Sequence, residues 1–140
     1  VYKINILTYQ KQNKTSPFSF EYFSRLDKEA TKQGKAIKAG LKDKEGNILA
    51  TNYLIIDNEV CYQLFCAADT RFSHLNAPSV LLWKSLQYAK EKNCKTYDFT
   101  GSIMPQIETF IRHFGAEQTQ YFYVQKQYSK IYSLLRKLKR

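Results

Sequence analysis

"YDFTGSIMPQIETFIRHFGAE", residues Tyr97 to Glu117, carries a strand, a glycine turn and an amphipathic helix in immediate succession. Alternation along the strand sends Asp98 and Thr100 to one face and Tyr97 and Phe99 to the other, so one face is aromatic and packed. Gly101 suits the sharp reversal that follows, because a residue without Cβ turns where others clash. Beyond it Ile103, Ile107, Phe110, Ile111 and Phe114 fall at intervals of 4, 3, 1 and 3, one face of a 3.6-residue period. Pro105 belongs in the first turn of that helix and Gly115 at its end. Such a strand, turn and helix is either ordinary mixed-sheet architecture or the rim of a substrate cleft.

Upstream, the chain reads as an ordered series of elements. "VYKINILTY" has the β-branched and aromatic content of a strand, and "QKQNKTSP" is a polar connection. "SFEYFSRLDKEATKQG" reads as a helix capped by Ser19, with Phe20, Phe23, Leu26 and Ala30 at helical spacing and Gly34 as the stop. Three strands follow, "KAIKAGLKD", "ILATNYLIID" and "VCYQLFCAA", joined by "KEGN" and "NE". Gly46 supplies the positive φ of the first tight turn, so the three form an antiparallel meander. After "ADTRFSHLNAP" a helix runs through "SVLLWKSLQYAKEKN", with Leu82, Leu86 and Ala89 on one stripe. Downstream of the opening stretch, "EQTQYFYVQK" reads as a strand and "SKIYSLLRKLKR" as a short basic amphipathic helix. A meander that leads into a βαβ unit gives an α/β mixed sheet with helices on both faces. Such sheets open a cleft where neighbouring parallel strands part, here between the strand entering the Arg71 turn and the one ending at Asp98.

The 140 residues suffice for one domain with one core, and 44% hydrophobic content excludes a disordered chain. The formal charge of +10 favours an anionic partner such as nucleic acid, nucleotide phosphates or a membrane surface, or else describes a solvated basic surface. Three cysteines with no CxxC pair argue against a disulfide framework and for a reducing, cytoplasmic setting. With two histidines and no ligand-like spacing, no metal is expected. No apolar run approaches the roughly 18 residues of a transmembrane span, and no signal peptide is visible. The chain starts at Val1, which is compatible with a fragment. The basic C-terminal helix can dock on the protein, on a neighbouring domain, on RNA or peripherally at the inner membrane surface.

The element order resembles the GNAT acyltransferase fold. The tract "TYDFTGSIMPQIETFIRHFGAEQTQYFYVQK" resembles the "DF-G-S … F-x-FG" signature of its Fem-like branch. That branch includes the aminoacyl transferases of peptidoglycan cross-bridges and proteins tied to polysaccharide synthesis. The resemblance implies one GNAT-like domain over residues 1–140, the C-terminal half of a tandem protein whose N-terminal GNAT-like domain would be its partner. It implies an acyl donor, an amine acceptor and transfer of an acyl or aminoacyl group to a small or cell-envelope acceptor.

Two departures bear on the donor. GNAT enzymes that use acetyl-CoA carry an (Arg/Gln)-x-x-Gly-x-(Gly/Ala) loop whose amides meet the pyrophosphate. Here the loop is "RFSHLNA": Arg71 matches the first position, while His74 and Asn76 stand in place of the glycines. Side chains there hinder close backbone approach, which argues against acetyl-CoA or acyl-CoA in the usual mode. Relatives with the same loss use another donor, such as aminoacyl-tRNA. Donor contacts are expected from Cys66, Ala67, Arg71, Ser73, Asn76 and Ser79, Arg71 being the phosphate contact; Asn76 and Ser79 can equally just start the helix.

Asp98, Ser102 and Glu108 are the catalytic candidates. Asp98 can take a proton from an amine or can simply accept backbone N–H bonds of the turn. Ser102 can bind substrate or cap the helix, and Glu108 lies on its polar side. Cys66 serves as a nucleophile only with a lowered pKa. A module without catalytic activity, supporting a partner domain or gripping an anionic polymer such as tRNA, is the alternative to the enzyme.

Overall fold

A computed structural model describes residues 1–11, 15–16, 18–101, 105–122 and 124. The chain forms α1 (Tyr2–Lys11), α2 (Phe20–Lys32), β1 (Ala36–Lys42), β2 (Ile48–Asp57) and β3 (Val60–Ala68). A 3₁₀ turn (Thr70–Leu75), α3 (Ala77–Glu91), β4 (Thr96–Asp98) and α4 (Pro105–Arg112) follow. The four strands lie in the order β1-β2-β3-β4, the first three antiparallel and β4 parallel to β3. This is the expected mixed α/β sheet.

The turns form where the sequence places them. Asp43 accepts hydrogen bonds from the amides of Asn47 (2.8 Å) and, through its carbonyl, Gly46 (3.2 Å), and Gly46 takes φ +86°. Asn58 takes a left-handed φ of 53° in the second hairpin. An Asn side chain tolerates that conformation better than most residues. Ser19 caps α2 by accepting from the Tyr22 amide at 3.2 Å.

β2 is the central strand and is buried on both faces. On one face Ala50 and Leu54 pack against Ala77, Leu81 and Ala89 of α3. On the other, Tyr53 and Phe65 meet Phe23 of α2, with ring centroids 5.3–6.0 Å apart, and Tyr2 of α1 joins them. Helices therefore cover both faces. Full burial of Tyr53 and Leu54 removes the apolar surface that drives folding, at about 25 cal/mol per Å².

Two segments differ from the sequence reading. Residues 2–11 form helix α1 and not a strand. Its aromatic and β-branched residues are helical because Ile4 and Asn5 bury while Tyr2 seats on Phe23; a weak strand preference yields to such packing. Residues 117–122 and 124, read as a strand, have no regular structure, and Tyr121 is 83% exposed. Alternation alone does not make a strand without a ladder to a neighbour, and among the described residues β4 pairs only with β3 and not with this segment. Residues 123, 125 and 126 of that segment and the C-terminal helix lie outside the described residues. The face expected on α4 also buries less than its pattern suggests: Ile111 is buried, while Ile107 is 40% exposed.

Candidate functional site

The sheet forks. β3 and β4 pair as Val60↔Thr96, Cys61↔Tyr97 and Tyr62↔Asp98, and among the described residues no pairing continues beyond. The last tie is a hydrogen bond from Thr100 Oγ1 to the Gln63 carbonyl at 2.8 Å. Leu54 lies opposite Gln63 and Tyr53 opposite Phe65, so Leu64 is a surplus residue, a β-bulge at the point where the strands part. Bulges bend the strand that carries them and sharpen its twist; β4 also stops here, the chain turning at Thr100 (φ 57°) and Gly101 (φ 71°), so β3 runs on past the end of β4.

The same register tells which backbone groups face the gap. Asp69 bonds to the Leu49 carbonyl and Ile56 to Lys35, so the odd-numbered residues of β2 look toward β3. Phe65 and Ala67 then bond back to β2, while the N–H and C=O of Cys66 point outward along the open edge and the Ala68 carbonyl accepts from Thr8 Oγ1 of α1 at 3.5 Å. Cys66 is half-buried, and desolvation pushes its thiol up to about 11. A thiol of that kind is a poor nucleophile.

The open edge leads into a groove of about 350 Å³ lined by Leu49, Ala68, Asp69, Ser73, Asn76, Ser79 and Phe110, among others. Its floor is the end of β3 and the start of α3, and Phe110 brings α4 to its side. Asp69, itself buried, shapes the loop by accepting from the Arg71 amide at 3.0 Å and from the guanidinium Nη2 at 2.6 Å. Arg71 is 72% exposed at the side chain, and its guanidinium carbon also lies 5.5 Å from the centre of the Phe72 ring. Asn76 adopts φ 48°, ψ 29°, the left-handed conformation a glycine ordinarily supplies. Of the two positions where glycines are expected, Asn76 takes a left-handed φ while His74 lies inside the 3₁₀ turn, and Pro78 has no N–H to add to the helix start.

Of the expected site residues, the structure brings Ser73, Asn76 and Ser79 together in the groove, with Cys66 and Ala67 on the strand leading to it. Asp98 ends the opposite prong, exposed, and its Oδ1 accepts from the Thr100 amide at 2.6 Å. That is the turn-fixing role. Glu108 on α4 pairs with Arg112 at 2.6 Å, so its carboxylate is engaged one turn along its own helix. Ser102 lies outside the described residues. Neither Asp98 nor Glu108 lines the groove.

Sequence reasoning missed a polar cluster beneath the fork. Asn52, fully buried on β2, donates from Nδ2 to Gln63 Oε1 (3.1 Å) and Ser85 Oγ (3.0 Å) and lies 3.3 Å from the Tyr97 hydroxyl. Tyr97 donates to Gln63 Oε1 at 2.8 Å, and Ser85 to the Leu81 carbonyl at 2.8 Å. Two signals were readable: an asparagine inside the apolar run "ILATNYLIID", and a serine on the buried stripe of α3. Among the described residues no group of three or more His, Cys, Asp or Glu is arranged to hold a metal. No helix among them is long and apolar enough to cross a membrane.

A family profile described as "Acetyltransferase (GNAT) domain" matches residues 2–118. The chain belongs to this family. Solved structures share the GNAT fold at low identity. Glucosamine-6-phosphate N-acetyltransferase from Arabidopsis thaliana aligns with a TM-score of 0.63 at 14% identity, over 89% of this chain and 90% of that one. A putative acetyl transferase from Pyrococcus furiosus gives 0.63 at 16%, over 91% and 93%. An aminoglycoside antibiotic 6'-N-acetyltransferase from Acinetobacter baumannii gives 0.61 at 11%, over 81% and 84%. Sequence comparison with curated proteins returns no match. In this GNAT domain, then, the fork and its groove are the part of the sheet that differs from an ordinary closed one.

Proposed function

We propose that this GNAT domain transfers an acyl group from a coenzyme A thioester to a primary amine, with the donor lying in the fork. The carrying observation is the edge of β3 at Cys66, which has no strand partner among the described residues and runs into the groove at the start of α3. An extended donor arm with amide groups can bond to such an edge as a further strand would. The donor's phosphates would meet the groove mouth, where Ser73 and Ser79 stand near the positive end of the α3 dipole. The left-handed Asn76 supports the fit at one of the two expected glycine positions.

The amine nitrogen attacks the thioester carbonyl carbon, the C–S bond breaks, and the thiolate leaves with the proton the amine gives up. The outward N–H of Cys66 supplies a donor for the carbonyl oxygen as it gains charge. No covalent enzyme intermediate is needed, and holding the two reactants together supplies much of the acceleration. Two structural neighbours are named for amino-sugar amines, so glucosamine 6-phosphate and aminoglycosides open the acceptor panel.

The test is calorimetric titration with acetyl-CoA, followed by thiol release across that panel. Binding should raise the melting temperature, because a ligand at 100 times its Kd stabilises the folded state by about 2.7 kcal/mol. Neither heat, nor shift, nor thiol release at millimolar acetyl-CoA would overturn the reading.

A second reading rests on the loop. The absence of glycines in "RFSHLNA" and the charge of +10 favour a Fem-like domain of a tandem protein that takes its acyl group from aminoacyl-tRNA. Salt-sensitive binding of charged tRNA without acetyl-CoA binding would support it. Binding of neither would favour the module without catalytic activity.

A further inference from the structure

We infer that the buried cluster of Asn52, Gln63, Ser85 and Tyr97 sets the vertex of the fork, making these four the positioning residues for the donor edge. The inference rests on the proposed donor site. The cluster joins one side chain from each of β2, β3, α3 and β4. Gln63 is its centre: Oε1 accepts from both Asn52 and Tyr97, and its carbonyl accepts the last tie from Thr100. The bulge begins at the next residue. β4 is therefore held to the vertex and released immediately beyond it.

Stability alone does not account for the cluster. Among the described residues Asn52 Oδ1 is buried without a partner, and polar groups left unpaired in a core cost more than apolar residues of the same shape. What directional bonds add, and apolar packing does not, is a fixed orientation between strands. Tyr97 reaches across from β4 to hold the side chain of Gln63, two residues past its own partner Cys61 in the ladder. That tie fixes where the Cys66 amide begins to point outward.

The experiment uses the full chain with Tyr97→Phe, Asn52→Leu and the double variant. Hydrogen exchange at Thr96–Asp98 should rise in Tyr97→Phe while β1 and β2 stay protected, a readout that requires no ligand. Acetyl-CoA, titrated by calorimetry, should bind about tenfold more weakly to each variant at a nearly unchanged melting temperature. The double variant should bind no more weakly than the worse single one, because both remove the same constraint. Unaltered exchange in folded Tyr97→Phe would overturn the inference, as would wild-type affinity in that variant. Should Asn52→Leu not fold, Tyr97→Phe, which deletes one hydroxyl, carries the test. Wild-type protein that fails to bind acetyl-CoA while the exchange still shifts would overturn the donor reading and leave the vertex standing.

Discussion

Replacing Cys66 by alanine separates direct transfer from a route through an acyl-enzyme. The thiol sits on the open edge of β3, the one place in the fork where a covalent nucleophile would be convenient. Burial, however, pushes it up to about 11. At pH 7.5 about one molecule in 3,000 then carries the thiolate, against about one in ten for an ordinary cysteine near 8.5. The penalty is about 300-fold before geometry is considered. If transfer is direct, Cys66→Ala should keep acetyl transfer within about threefold of wild type, since only a small side chain is lost from a half-buried position. Iodoacetamide should also label Cys66 about 300 times more slowly than a free thiol at the same pH. The assays are thiol release from acetyl-CoA under saturating amine, and intact mass of protein quenched within the first turnover. Accumulation of a one-acetyl adduct that vanishes in Cys66→Ala, with activity lost by two orders of magnitude or more, would refute the reasoning.

Two further outcomes follow from residues outside the fork. Burial opposes ionisation of Asp27, but hydrogen bonds from Lys38 and Tyr53 outweigh it and hold its carboxyl below the usual range. A depressed folded pKa adds stability above the unfolded value of about 3.9 that is lost as pH falls through the folded value. Asp27→Asn should thus lower the urea midpoint at pH 7 by the equivalent of about 1 kcal/mol, and the gap should narrow as pH falls below about 3.9; a gap constant with pH would contradict the pairing. Asn76→Val places a β-branched residue at φ 48° and should cost about 1–2 kcal/mol in urea unfolding and weaken acetyl-CoA binding, whereas Asn76→Gly should do neither. A valine variant as stable as wild type would mean the loop does not need that conformation.

Much of the fold was legible because local chemistry and tertiary demand agree there. Asp43, Gly46 and Asn58 mark turns that only such residues enter cheaply, so the meander could be bounded almost to the residue. Ser19 and Gly34 bracket α2 for similar reasons. Legibility failed where packing decided against propensity. Residues 2–11 look like a strand in isolation and become a helix once Tyr2 has Phe23 to lie on. The groove residues were readable from the polar loop ahead of a helix, and Asp98 as a turn-former from its position before Thr-Gly. The bulge was not: "QLFC" contains no glycine or proline, and a surplus residue shows only against the partner strand. Asn52 was visible as an oddity in an apolar run, but its partners come from three distant elements that no spacing connects.

The bulge at Leu64 implies a natural control. Excise that residue and Gln63 still faces Leu54 while Phe65 still faces Tyr53, so the core loses none of its cross-strand neighbours. What vanishes is the bend, and with it the angle at which the end of β3 leaves the sheet. A chain one amino acid shorter is therefore expected to be tidier, at least as robust to heat, and idle.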